Sequence, residues 1–444
     1  MQFESVPFGQ LFACPQKNGL TRPKRVRGTG LPMVNMGELF AHPRIGHLEM
    51  DLVPVSSAEE EFLLASGDLL FARQSLVRDG AGQCSIFLGN TLPTVFESHL
   101  IRCRLSSAHA VPDFFFYFFR SPQGRVTIDA IIEQGAGAAG IRGSDLVRLQ
   151  VPVPSLSHQQ WVADVLRALD DRIDLLRQTN ATLESIAQTL FKSWFIDFDP
   201  VRAKAEGREP EGMDAATAAL FPAEFEESAL GVSPKGWRVA AIRDVVADVY
   251  DGPHATPPEA SEGPVFLGIK NLTGTSLDLG EVRHISKGDW AQWTRRVTPQ
   301  PDDIVFSYEA ALGLFALIPP GLTCCLGRRL ALVRPMAEDG TPRFWFHQFI
   351  GEPFQRLLDK HTVHGATVNR IALKEFPSFT VMDPGNRLRI AFESVAQPLW
   401  ARIHANRQQA LNLAETRDTL LPRLISGKLR LAEARAQIEE AVTI

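Results

Sequence analysis

At 444 residues the chain is too long for one ordinary core, and length alone points to roughly two to four domains. Its 46 basic against 51 acidic residues announce nothing about nucleic acid at whole-chain level, because net charge averages over local surfaces. Five cysteines without a CxxC pair fit reduced thiols, no signal peptide opens the sequence, and no apolar run reaches the roughly 18 residues of a membrane span. The expectation is a soluble, cytoplasmic protein.

Residues 1–156 alternate short apolar runs with Gly, Pro and polar turns, as in LPMVNMGEL, SGDLLFARQ, CSIFLGN and SHLIRCRL. Such runs, bounded by turn formers, predict strands of a mixed α+β domain. Asp113 to Arg120, DFFFYFFR, is aromatic all round and predicts a buried helix, with an amphipathic one after it. GAGAAGIRGSDLVRLQVPVP closes the domain with a Gly-rich turn and a Pro-flanked strand.

A long helix is predicted over 157–196. Val162, Leu166, Leu169, Ile173, Leu176, Asn180, Leu183, Ala187 and Leu190 recur at spacings of four and three, the apolar seam of a coiled coil. A polar residue in such a seam fixes register at some cost, so Asn180→Leu is expected to keep or raise thermal stability. Residues 197–235, rich in charge, Ala, Pro and Gly, read as an irregular connector.

The pattern then returns. In 236–384, PVFLGIKNL answers LPMVNMGEL and PDDIVFSYEA answers SGDLLFARQ, with Asp303 opposite Asp68 and Phe306 opposite Phe71. From Leu100 onward the offset settles at 230, pairing Leu330 with Leu100, Arg334 with Arg104, Phe344 with Phe114, Gly365 with Gly135 and Ile371 with Ile141. It continues into a second long helix over 385–430, where Leu399, Ile403, Leu413 and Leu420 match Leu169, Ile173, Leu183 and Leu190. Pro398 lacks a backbone donor and is expected to kink or restart this helix. A tail, 431–444, follows.

The expected architecture is therefore α/β of mixed α+β type, an internal pseudo-twofold repeat of two tandem globular halves separated by two long antiparallel coiled-coil helices. The halves keep apolar positions and turns but differ in surface, notably ARQSLVRDG against SYEAALG. One chain would thus imitate a dimer reading two half-sites.

The tandem layout, SGDLLFARQ and PDDIVFSYEA, the Gly-rich turn and LFKSWFIDFDPVRAKAEGREPEG after the first helix resemble the specificity subunit of type I restriction-modification enzymes. The resemblance implies that each half is a target recognition domain reading one half of a bipartite double-stranded DNA target. It also implies that the helices space the halves and contact two methyltransferase subunits, joined by restriction and motor subunits. S-adenosylmethionine, Mg²⁺ and ATP would belong to those partners, with no cofactor on this chain.

In such a domain, clustered cations become candidate phosphate contacts. In the first half these are Arg22, Lys24, Arg25 and Arg27 of TRPKRVRG, with Arg73, Arg78, Arg102, Arg104 and Arg142; in the second, Arg295, Arg296, Arg328 and Arg329. Base reading needs paired donors and acceptors, which Arg73-Gln74-Ser75, Lys270-Asn271, Ser307-Tyr308 and Asn369 could supply. Each of these also reads as ordinary loop polarity, and Arg104 and Arg334 as scaffold.

GAGAAG matches GxGxxG literally but lacks the strand before it that a dinucleotide site needs, so a tight turn is the better reading. The aromatic runs read as core rather than base-stacking platforms. Ser426-Gly427-Lys428 is no P-loop, His361 and His364 stand without further ligands, and there is neither HExxH nor an Asn-Pro-Pro-aromatic tetrapeptide. The expectation is a chain that does no chemistry, against two alternatives: a self-contained methyltransferase or nuclease, and a coiled-coil scaffold with protein partners only.

Overall fold

A computed structural model describes residues 3–135, 137–365 and 368–429, so the tail at 431–444 lies outside the described residues. The chain divides into two compact units, Met1–Leu175 with Gln409–Ile444, and Leu176–Gln408.

In the first unit the principal strands are β1 (Lys17–Asn18), β2 (Arg44–Ile45), β3 (Leu69–Ala72), β4 (Gln74–Ser75), β5 (Cys84–Phe87), β6 (Leu100–Cys103) and β7 (Ala139–Gly140). Five of them form a sheet in the order β1-β6-β3-β5-β2. β3, β5 and β6 are buried at every position, which is why they read as unbroken apolar runs rather than as alternating strands. Against them lies α1 (Pro112–Arg120), opened by a proline where a missing N–H costs nothing, with Phe114 to Phe119 all buried. Phe119 sits edge-on to Phe71 of β3 at 5.0 Å and to Phe8 at 4.9 Å. DFFFYFFR is core. The long helix α2 (Leu156–Phe195) then begins, one residue from its expected start.

The second unit repeats the plan. β8 (Val246–Asp251), β9 (Ile304–Ser307), β10 (Phe315–Leu317) and β11 (Leu330–Pro335) form a sheet in the order β8-β11-β9-β10, which is the order β1-β6-β3-β5 of the first. Aromatic helix α3 (Pro342–Ile350) takes the place of α1, and α4 (Asn386–Ile425) is the second long helix. A separate sheet, Arg283–His284 with Ala260–Leu267 and Cys324–Leu326, belongs to this unit.

One polar device is built twice. Asp68, fully buried, takes a two-pronged hydrogen bond from Arg104 at 2.7 Å on each oxygen and another from the Ala65 N–H, while Arg104 also donates to the Leu63 carbonyl. Asp303 receives the same from Arg334, at 2.9 and 2.6 Å, and from the Gln300 N–H, with Arg334 donating to the Thr298 carbonyl. In both, the hydrogen bond to the aspartate raises the guanidinium pKa. Each clamp ties the strand entering the core to its central neighbour, so the matched arginines are scaffold.

The helices pack antiparallel within each unit. In the first, Val162, Leu166, Leu169 and Ile173 are buried with Leu413, Leu420 and Leu424, and Asp170 bridges Arg417 at 2.6 Å and the Tyr117 hydroxyl at 2.7 Å. In the second, Leu176, Asn180 and Ala187 are buried, Phe191 and Trp194 share one core cluster with Phe392, Ala396, Trp400 and Ile403, and Asn180 meets Asn406. Leu183 and Leu190 are only half-buried, and Phe191 occupies the seam. An α-helix with 3.6 residues per turn drifts from a 3.5-residue repeat by about 20° per heptad, which rotates the later leucines outward. Leu399 is likewise half-buried, and Trp400, 1% exposed, fills the position assigned to it.

Three expectations change. Pro398 neither ends nor restarts α4, which runs unbroken as one element of 40 residues, and the proline ring is exposed on its surface. The 197–235 connector holds a helix at Asp199–Ala205, another at Ala215–Ala219 and a hairpin of Phe225–Ser228 with Gly231–Pro234. Asn180 has a mate: Asn406, 1% exposed, donates its amide to Asn180 Oδ1 at 2.8 Å, and Asn180 Nδ2 donates to the Ile403 carbonyl. Asn180→Leu therefore strands the Asn406 amide and should destabilise unit 2 by about 1–3 kcal/mol, with Asn180→Leu/Asn406→Leu recovering most of the loss. Chemical denaturation of the two variants checks this, and a neutral single variant contradicts it.

Candidate nucleic-acid interface

The loops singled out from the sequence are built alike in the two units. In the first, β3 runs through Arg73 into β4, which pairs with β7 through Ser75↔Ala139 and Gln74↔Gly140, and the Ile141 N–H donates to the Arg73 carbonyl at 2.9 Å. The Gly-rich turn closes the hairpin of Glu133–Gln134 with β7, with Gly135 N–H donating to the Ala138 carbonyl. Gly140 is required here, since a Cβ would lie 2.9 Å from the Arg73 carbonyl oxygen. In the second, the Ile371 N–H donates to the Tyr308 carbonyl at 2.8 Å, Ala310 N–H to the Asn369 carbonyl at 3.0 Å, and Thr362–Val363 pairs with Arg370–Ile371. Each unit thus holds a loop after its core strand against a hairpin arm, and the two loops carry different side chains.

The basic candidates fall into two groups. Arg22 is spent on Glu59 at 2.5 Å and the Pro54 carbonyl, and holds the Glu59 carboxyl well below the usual carboxylate range, with help from the Ser56 N–H. Arg27 binds Asp51 at 2.6 Å and Asn35; Arg142 binds Glu133 at 2.6 Å; Arg296 pairs with Asp251 and the Gly252 carbonyl. Arg78 donates to the Asp129 carbonyl at 3.1 Å. By contrast, Lys24, Arg25, Lys270, Arg295 and Arg328 are exposed, and Arg73 and Arg329 half-buried, with no side-chain partner among the described residues. None of these cations has a carboxylate partner among the described residues.

The candidates for base reading separate similarly. Gln74 is exposed, its amide without a partner among the described residues, and Ser75 accepts the Val77 N–H at 3.3 Å. Asn369 is exposed beside His364, 3.3 Å from its Nδ1. Asn271, 2% exposed, is not available: its oxygen accepts the Gly268 N–H and its amide donates to the Asp278 and Glu281 carbonyls, closing the loop around it. Ser307 is fully buried and accepts the Leu314 N–H. Tyr308 turns inward and donates to the Arg328 carbonyl at 3.0 Å, burial pushing its phenol up to about 12. These three shape the loop and do not face solvent.

Sequence reasoning missed the position that anchors each long helix. Gln159, fully buried in the first turn of α2, accepts the Val111 N–H and donates to the Pro154 carbonyl. Its match in α4, Arg389, reaches Asp383 and Asp339. The offset aligns the two residues, but their unlike chemistry hid the shared role.

The fold and site define a tandem pair of α/β units on one scaffold, each offering its own loop and unneutralised cations. Residues 53–185 match the family described as the type I restriction modification DNA specificity domain. The chain is 25% identical over 443 residues to the Type I restriction enzyme HindI specificity subunit of Haemophilus influenzae, covering 89% of this chain and 94% of that protein. It is also 25% identical over 335 residues to the MjaIX specificity subunit of Methanocaldococcus jannaschii, covering 73% and 70%. The fold matches the S subunit of a type I restriction-modification system from M. genitalium with a TM-score of 0.56 at 13% identity, over 96% of both chains. The chain therefore resembles type I specificity subunits over nearly its whole length. No helix among the described residues is long and apolar enough to cross a membrane.

Proposed function

We propose that this chain is the DNA sequence-specificity subunit of a type I restriction-modification complex, a recognition subunit that carries no catalytic site of its own. Each unit reads one half of a bipartite, asymmetric target, and the chain recruits two methyltransferase subunits, with restriction subunits joining them. S-adenosylmethionine, Mg²⁺ and ATP are held by those partners. The observation that carries this reading is the twice-built scaffold with two unlike loops, in a chain matching specificity subunits along most of its length. A single reading domain, or a scaffold binding only proteins, has no use for a second copy with altered polar tips.

In this reading the exposed cations neutralise phosphates, and Arg73 with Gln74 reaches base edges. Affinity of the chain bound to its methyltransferase should fall steeply between 50 and 200 mM salt, as counterion release requires. Arg73→Ala should cost roughly 1–3 kcal/mol of binding or relax sequence preference in one half-site only. Competition binding with duplexes scrambled in one half at a time measures it; an equal loss at both halves contradicts independent readers.

A further inference from the structure

We infer that Leu76 and Val77, at the tip of the first unit's loop, form an apolar finger that reads the 5-methyl group of a thymine in the half-site of that unit. The inference rests on the DNA-reading function proposed above and assigns it a specificity determinant.

The two side chains are 87% and 64% exposed, directly after Arg73, Gln74 and Ser75. Water should drive such groups inward, yet the loop that carries them is pinned on every side. The Val77 N–H donates to Ser75 Oγ, and the Gly80 N–H returns to the Val77 carbonyl at 3.1 Å. Arg125 donates to the Ala81 carbonyl, Arg78 to the Asp129 carbonyl, and Gln83 to the Asp79 carbonyl. Gly80 packs so closely that a Cβ there would lie 2.1 Å from Ser75 Oγ. The tip is held out by its base rather than left there by looseness, which is preorganisation for contact.

The second unit has no counterpart. In its loop Tyr308, opposite Arg73, is buried, and the positions opposite Leu76 and Val77 hold Ala311 and Leu312, the latter half-buried against the core. The finger is therefore no part of the common scaffold and belongs to what distinguishes the two readers. Its neighbours define the occupant: Arg73 is unneutralised and Gln74 offers a paired donor and acceptor, a surface suited to the floor of the major groove. The apolar feature among base edges there is the thymine methyl.

The test uses the full chain bound to its partner methyltransferase and a duplex carrying its methylation motif, with each thymine replaced in turn by deoxyuridine, which removes only the methyl. Arg73→Ala first identifies the half-site of the first unit. Leu76 is so exposed that Leu76→Ala leaves the fold intact, verified by an unchanged melting curve. One deoxyuridine position in that half should weaken binding roughly fivefold, Leu76→Ala should weaken it by a similar factor, and the two together should do little more. Leu76→Ala binding as wild type, a half-site without thymine, or a Leu76→Ala loss that no deoxyuridine reproduces would each overturn the assignment. So would loss of methyltransferase assembly in Leu76→Ala, which would make the finger a protein contact. If Arg73→Ala is also silent, the DNA-reading function itself fails, a result distinct from failure of the finger alone.

Discussion

Glu393→Ala should destabilise the second unit by about 3–5 kcal/mol, the largest single effect expected in this chain. Glu393 and Arg343 are each 8% exposed, and the carboxylate does two things. One oxygen accepts Arg343 Nη1 at 2.7 Å; the other accepts the Arg343 and Phe344 N–H groups, capping the aromatic helix α3. Alanine leaves a buried guanidinium with only Asp302 at 2.9 Å, and two orphan donors at a helix start. Burial pushes the Glu393 carboxyl up even with Arg343 against it, so the pair contributes little beyond its own desolvation. Replacing both residues by apolar ones of similar volume should accordingly cost far less than either change alone. Hydrogen exchange across Pro342–Ile350 with thermal unfolding measures this; a loss under about 1 kcal/mol for Glu393→Ala contradicts it.

Arg104→Ala and Arg334→Ala should each cost about 2–3 kcal/mol, confined to the first and second unit respectively. The aspartates are buried, with side-chain exposures of 0% and 3%, but the arginines reach water, at 34% and 23%, so the effect lies below that of a fully enclosed pair. If the clamps are one inherited device, their losses should be nearly equal and additive in the double variant, since they lie in different units. Hydrogen exchange resolved by unit checks both points. A loss shared by both units after either change would show that the sheets do not unfold independently.

Much of this was legible because duplication leaves a constant offset. Phe71 with Phe306, Arg104 with Arg334 and Gly135 with Gly365 marked two copies of one scaffold, while the shared sheet order and the paired hairpins came only with the structure. The aspartates were matched too, and two Asp–Arg pairs at corresponding positions were the available signal for the clamps. Contacts across antiparallel helices were not legible, since partners there run in opposite chain directions, so repeat alignment matches Asn180 with Ala410 rather than with Asn406. Polarity in a loop also does not say which way it points. Asn271 and Tyr308 look like readers in a string of letters, yet each is folded inward onto backbone carbonyls that the sequence cannot place. Leu76 was passed over for the opposite reason: leucine reads as core, and its exposure is a fact of tertiary structure alone.

The most direct test of the central claim is modified-base sequencing of a host genome with and without this gene, co-expressed with the methyltransferase subunit of the proposed complex. The account predicts a gene-dependent N6-methyladenine mark at a split motif, with one half altered by Arg73→Ala and the other untouched. An active methyltransferase that leaves no such mark in the presence of this chain would contradict it.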